Sequence, residues 1–174
     1  MKKGAGSIGL VCLLVTAGFL GFITFESEVV ISATTYYVGS GPGNDSASIQ
    51  DAIDYNATDG DTVFVWRGTY NESIIVNKTI TLQGEDRNIT IINGTGTADT
   101  VFIDRNLVNV TGFTITNGTK GIFINTSINN VTIENNNATM NNNHGIKLNS
   151  AHNITIKNNI LFNNSDAGIY VFSS

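Results

Sequence analysis

Gly145-Ile146-Lys147-Leu148-Asn149-Ser150-Ala151-His152-Asn153-Ile154-Thr155-Ile156-Lys157-Asn158 is the stretch that decides the fold. It holds two short runs in which apolar and polar residues alternate. Ile146 and Leu148 share one side with Lys147 on the other, and Ile154 and Ile156 share one side with Thr155 on the other. A period of two over three or four residues describes a half-buried β-strand. Both runs recur. The first returns as T-V-F-I (Thr100 to Ile103), G-I-F-I (Gly121 to Ile124) and G-I-Y-V (Gly168 to Val171), and the second matches G-F-T-I-T-N (Gly112 to Asn117) and N-V-T-I-E-N (Asn130 to Asn135). From Ile74 onward the copies stand roughly 21 to 27 residues apart, the period of a solenoid. Two such strands per period cannot bury their apolar faces alone, whereas stacked coils can.

The punctuation between the runs agrees with this register. Asn117, Asn135 and Asn158 each follow an inward isoleucine by two residues, where stacked asparagines can hydrogen-bond to one another and tolerate left-handed backbone. Gly121, Gly145 and Gly168 open the next strand. Val63 to Val65, Ile91 to Ile92, Ala138 to Met140 and Ile160 to Phe162 supply a third strand row, with Met140 as an inward core residue. A β-sandwich shows no Asn–Gly period of this kind. Upstream, Ser48 is a helix N-cap followed by acidic Asp51 at N3 and apolar Ile49 and Ile53, so a short amphipathic helix lids the first coil beside a Tyr36-Tyr37-Val38 strand. The predicted fold is all-β: a parallel β-helix of about four coils with a short N-terminal capping helix.

Composition points the same way. The 174 residues are 13% charged, and 24 Asn, 21 Thr, 12 Ser and 18 Gly stand against a single Pro. Asn- and Gly-rich turns between short strands fit this better than a helical bundle, which needs Leu, Ala, Glu and Lys. A net charge of −5 with no basic stripe argues against nucleic acid as a partner. At the N-terminus, Lys2 and Lys3 precede an uncharged run to Phe25, and small residues end at Ala33. This reads as a secretory signal over 1–33, or as an uncleaved membrane anchor, the one route by which the chain would touch a membrane. A cap over 34–60 and β-helix repeats over 61–174 follow, secreted or held at the cell surface. Cys12, the only cysteine, lies in the export segment, so the remainder has no thiol chemistry.

Ile49 to Asp54 (I-Q-D-A-I-D), Gly60 to Val65 (G-D-T-V-F-V), Gly68 to Val76 (G-T-Y-N-E-S-I-I-V) and Lys78 to Gly84 (K-T-I-T-L-Q-G), followed by the Asn-Gly-Ile coils, resemble right-handed parallel β-helix proteins of the pectin-lyase-like superfamily. Within it they look most similar to the NosD-like group, described as periplasmic copper-binding proteins and common among archaeal surface proteins. The resemblance covers about Tyr36 to Ser174 and is architectural. It implies the fold, with two chemical alternatives: a polysaccharide lyase or hydrolase, or a copper-handling accessory protein.

A lyase needs a calcium-binding acidic cluster and a basic arginine, but Asp99, Asp104, Glu134 and Asp166 are scattered over different rows, with Arg87 and Arg105 in turns. A hydrolase needs paired carboxylates, and the one turn of suitable type, Asn143-His144-Gly145, has no acidic pair nearby; its histidine reads as solvated. No catalytic residue and no cofactor is therefore assigned. Calcium would draw on Asp59 and Asp61, which are ordinary turn formers, and copper on Met140, His144 and His152, the only soft or imidazole ligands after the export segment, where copper normally takes three or four converging groups.

Aligned repeats place Ile75, Phe102, Phe123, Lys147 and Tyr170 at one outward position, while Thr114, Thr132 and Thr155 form an equivalent polar row. Phe102, Phe123, Lys147 and Tyr170 are the candidate contacts for a polysaccharide or cell-surface component, with Lys147 free to meet an acidic group. The last coil, with Ile160, Phe162, Ile169 and Val171 at an uncovered edge, is expected to self-associate. Asn-x-Ser/Thr sequons begin at Asn44, Asn56, Asn71, Asn77, Asn88, Asn93, Asn109, Asn117, Asn125, Asn130, Asn137, Asn153 and Asn163. Random placement would give about five, so turn structure or glycosylation, or both, has enriched them. The leading reading is a non-catalytic surface β-helix with a structural or carbohydrate-contacting role.

Overall fold

A computed structural model describes residues 32–173, and the candidate export segment lies outside them apart from Ser32 and Ala33. The compact unit that begins at Thr34 is a parallel β-solenoid of about six turns. Its first turn runs β1 (Thr35–Val38), β2 (Asn44–Ser46) and a helix α1 (Ile49–Asp51) that widens into a π turn over Ala52–Asn56. Five three-strand coils follow. They are β3 (Thr62–Val65), β4 (Gly68–Tyr70) and β5 (Ile74–Val76); then β6 (Thr81–Gly84), β7 (Thr90–Asn93) and β8 (Val101–Ile103). Next come β9 (Asn109–Thr111), β10 (Thr114–Thr116) and β11 (Ile122–Ile124); β12 (Asn129–Glu134), β13 (Asn137–Thr139) and β14 (Ile146–Asn149); and β15 (His152–Lys157), β16 (Ile160–Phe162) and β17 (Ile169–Phe172).

From β3 onward every third strand pairs in parallel, and β1 pairs in parallel with both β2 and β3, giving a first sheet β15-β12-β9-β6-β3-β1-β2, a second β16-β13-β10-β7-β4 and a third β17-β14-β11-β8-β5. Inward side chains stack in register: Val63, Leu82, Val110 and Ile133 in the first sheet, Ile92, Ile115 and Ala138 in the second, Val101, Ile122 and Ile146 in the third. All are buried. This continuous apolar column is the hydrophobic core, and each coil closes the face of the one before it.

The helical lid sits as its sequence dictates. Ser48 Oγ accepts the Asp51 N–H at 3.2 Å, and Ile49 and Ile53 are fully buried against the first coil. The ends of the lid are held from the next coil. Glu72 accepts the N–H groups of Ile49 and Gln50, both at 2.9 Å, placing a carboxylate on the orphan donors of the first turn. Lys78 Nζ donates to the carbonyls of Ile53, Asp54 and Ala57 at 2.6, 3.0 and 2.7 Å, doing the same for the orphan acceptors.

Five expectations are corrected. The coils number about six, because the early ones lack the Gly-Ile signature. Val63 to Val65 belong to the first sheet, while Ile91 to Ile92, Ala138 and Ile160 to Phe162 do form the second. Thr132 and Thr155 pair in the first sheet, but Thr114 lies in the second between Ile91 and Asn137, because a tight corner at Gly112-Phe113 inserts a strand change. Met140 is 57% exposed: at φ +53° it occupies a left-handed corner and points away from the core. In the last described coil, Ile169 and Val171 continue inward rows. Ile160 and Phe162 continue outward rows, and Leu161 is the inward residue between them.

Candidate functional site

The third sheet carries the predicted row. Ile75 pairs with Phe102, Phe102 with Phe123, Phe123 with Lys147 and Lys147 with Tyr170, each one coil apart. Inward neighbours on both sides of every position lock the strands, so the outward side chains are fixed in line. The Phe102 and Phe123 rings are 5.4 Å apart at 38°. Lys147 Nζ lies 5.7 Å from the Phe123 centroid and 5.4 Å from that of Tyr170, a cation between two rings. It makes no ion pair among the described residues, so its charge remains available.

The corner entering this sheet adds a wall that the repeats did not disclose. Asp99 and Lys120 pair at 2.8 Å, and Lys120 Nζ stands 4.6 Å from the centre of the Phe123 ring. Ser73, Ile75, Ala98, Asp99, Phe102 and Lys120 line an open groove of about 490 Å³ beside the first half of the row. One coil on, His144 occupies the place of Lys120, since Gly121 N donates to the His144 carbonyl. Its imidazole lies flat on Tyr170, centroids 4.6 Å apart at 5°. The expected solvated histidine is thus only 5% exposed, because the tyrosine of the following coil covers it.

Burial pushes the His144 pKa below its usual 6.5, an effect that Asp166 opposes and the nearby Lys147 and Lys120 charges reinforce. Nδ1 has no hydrogen-bond partner, and Asp166 Oδ2 stands 3.6 Å away. The unfolded chain therefore binds this proton more readily than the folded one. The histidine should lower stability as pH falls from its unfolded value near 6.5 toward its folded value, with no further loss below that. Denaturation midpoints at pH 7.5 and 5 should fall further for the wild type than for His144→Gln; parallel losses would show that His144 does not titrate in this way.

The other candidates are dispersed. Asp61 is buried and accepts from Thr34 N, Thr58 N and Thr58 Oγ1, while Asp59 accepts from Thr79 N and Arg105. The Thr79 N–H, followed by the Arg105 guanidinium, holds the Asp59 carboxyl below the usual range. Both groups thus organise the turn that the sequence suggested. Arg87 Nη1 donates to Asn158 O at 2.9 Å, Arg105 pairs with Asp59 at 2.8 Å and Glu134 with Lys157 at 2.8 Å. Met140, His144 and His152 sit on different corners and strands, and no group of three or more His, Cys, Asp or Glu is placed to hold a metal among the described residues.

A second aromatic cluster escaped the sequence reading. Trp66 stacks on Tyr37 at 5.9 Å and meets Phe64 edge-on at 4.9 Å, on the outward side of the first sheet. Its indole N–H donates to Pro42 O at 3.2 Å, so the 39–43 loop clasps it. The available signal was the two-residue spacing of Phe64 and Trp66 on either side of inward Val65.

A parallel solenoid with three sheets, an apolar column inside and a helical lid defines a pectate lyase-like β-helix. The sequence model of the rhamnogalacturonase A/epimerase, pectate lyase-like family matches residues 31–174, and the chain belongs to that family. It is also similar to a cell surface glycoprotein of Methanothermus fervidus, 40% identical over 78 residues. That match covers 44% of this chain and 13% of the length of that protein. No solved structure matches. No helix among the described residues is long and apolar enough to cross a membrane.

Proposed function

We propose that the chain is a non-catalytic β-helix of the cell surface whose third sheet contacts carbohydrate. One observation carries this reading: Phe102, Phe123, Lys147 and Tyr170 stand in register on a single outward row, beside an open groove. Aromatic faces fixed at the coil spacing of about 4.8 Å suit the apolar faces of successive sugar rings. Lys147, held between two rings and lacking an acidic partner, suits a carboxylate or sulfate on the glycan. The similarity to a cell surface glycoprotein supports the location. The non-catalytic part draws on the dispersed acids and on arginines already engaged with Asn158 O and Asp59.

The test replaces Phe123 and Tyr170 together with Ser. Aromatic contacts contribute about 0.5–1.5 kcal/mol each, so loss of two should weaken retention on acidic polysaccharide gels by about 5-fold to 150-fold. The circular dichroism spectrum should stay that of the wild type, because both side chains point outward. Unchanged retention on glycan and on cell-wall preparations would eliminate the reading. Lys147→Ala should weaken binding to acidic glycans more than to neutral ones.

A further inference from the structure

The thirteen sequons become inequivalent once the chain is folded. N-glycosylation takes one hydrogen from the asparagine amide and needs Nδ2 in solvent. Six of these amides already donate within the chain. Asn93 Nδ2 bonds Asn71 Oδ1 at 2.7 Å, Asn117 bonds Gly94 O at 2.9 Å, Asn125 bonds Asp104 at 2.8 Å and Asn137 bonds Thr114 Oγ1 at 3.3 Å. Each of these four bonds ties one coil to the previous one. Asn88 bonds Asp86 at 2.9 Å and Asn130 bonds Asn129 at 2.7 Å. Asn56 is half-buried, and so is Asn109, whose Oδ1 is sealed from solvent without a partner.

The other five are different. Asn44, Asn71, Asn77, Asn153 and Asn163 are exposed, and their Nδ2 atoms make no hydrogen bond among the described residues, whereas the equally exposed Asn88, Asn117 and Asn130 each donate one. Asn71 accepts from Asn93 through Oδ1, an oxygen that the glycosidic linkage leaves intact. Asn153 and Asn163 sit at φ +52° and +54°, so left-handed backbone accounts for asparagine there. It does not account for the hydroxyl residue two positions on. At Asn44, Asn71 and Asn77 neither backbone conformation nor an amide bond explains the asparagine.

We propose that Asn44, Asn71, Asn77, Asn153 and Asn163 are the N-glycosylation sites of this chain, and that the six sequons with bonded amides are architectural. The co-reactant is a sugar carried on a lipid phosphate or pyrophosphate. The amide nitrogen forms a bond to the anomeric carbon and gives up one proton to a base of the transferase. The bond between the anomeric carbon and the phosphate oxygen breaks, and the lipid phosphate leaves with the electron pair. No sequon asparagine falls in β5, β8, β11, β14 or β17, so the proposed attachment points lie off the strands that carry the aromatic row, with Asn77 directly after β5. The assignment stands independently of what that row binds.

Glycopeptide mass spectrometry of the full chain, recovered from its own cells, tests this directly. Sugar mass increments are expected on the peptides carrying the five exposed sites and on none carrying Asn88, Asn93, Asn117, Asn125, Asn130 or Asn137. The quintuple Asn→Gln variant at the five sites should lose all sugar. Absence of any increment, occupancy of a bonded amide, or sugar retained by the quintuple variant would each overturn the proposal.

Discussion

Asn136→Ala is expected to lower the unfolding free energy by about 3 kcal/mol, while Asn135→Ala, one residue earlier, costs about 1 kcal/mol. Asn136 is fully buried. Its Oδ1 accepts the Phe113 N–H at 3.0 Å and its Nδ2 donates to Val110 O at 2.9 Å, two backbone groups of the preceding coil. Truncation leaves both without partners in the core, at about 1–3 kcal/mol each. Asn135 is exposed at φ +56°, so alanine there meets only the strain of left-handed backbone. Guanidinium denaturation of both variants measures the difference. Equal losses would mean that the corner conformation, rather than the buried amide, is what asparagine supplies.

That contrast marks where the sequence stops being legible. Left-handed corners were expected at Asn117, Asn135 and Asn158, and all three have φ between 55° and 58°. The hydrogen-bonded stacks, however, are Asn136 with Asn159 and Asn141 with Asn164. A triplet such as Asn135-Asn136-Asn137 does not say which member turns inward, since a period-two pattern carries no signal among identical residues. The third sheet was readable because Gly followed by Ile-x-Ile or its relatives fixes both the strand start and the side of each residue. Register then carried the row from Ile75 to Tyr170 without further information. The groove and the covered histidine were not readable. Asp99, Lys120 and His144 come from irregular corners, and His144 is buried by Tyr170, a residue of the next coil that no local pattern joins to it. The second sheet was read only in part, because Gly112-Phe113 changes sheet in two residues and leaves G-F-T-I-T looking like a copy of N-V-T-I-E.

The same corner sets the second large effect. Gly84 and Gly112 face each other in adjacent coils: a methyl built on Gly84 would stand 2.3 Å from Gly112 O and 2.9 Å from its carbonyl carbon, and one on Gly112 would stand 2.5 Å from Gly84 O. These are backbone atoms held by the first-sheet ladder, so relief requires the coils to part. Gly84→Ala is therefore expected to cost about 3 kcal/mol, the upper part of the range for overpacking. Gly112→Ala should cost more, because its φ of +83° adds backbone strain to the same clash. Gly60→Ala is the control: its φ is +97°, but nothing lies within 4 Å of the added carbon, so strain acts alone at about 1–2 kcal/mol. Thermal unfolding should rank the variants Gly112→Ala, Gly84→Ala, Gly60→Ala from least to most stable. If Gly84→Ala proved as stable as the wild type, the coils would have room to slide at this corner. The fixed spacing on which the outward row of the third sheet depends would then have to be held elsewhere, by the inward isoleucines at positions 122 and 146 and their neighbours.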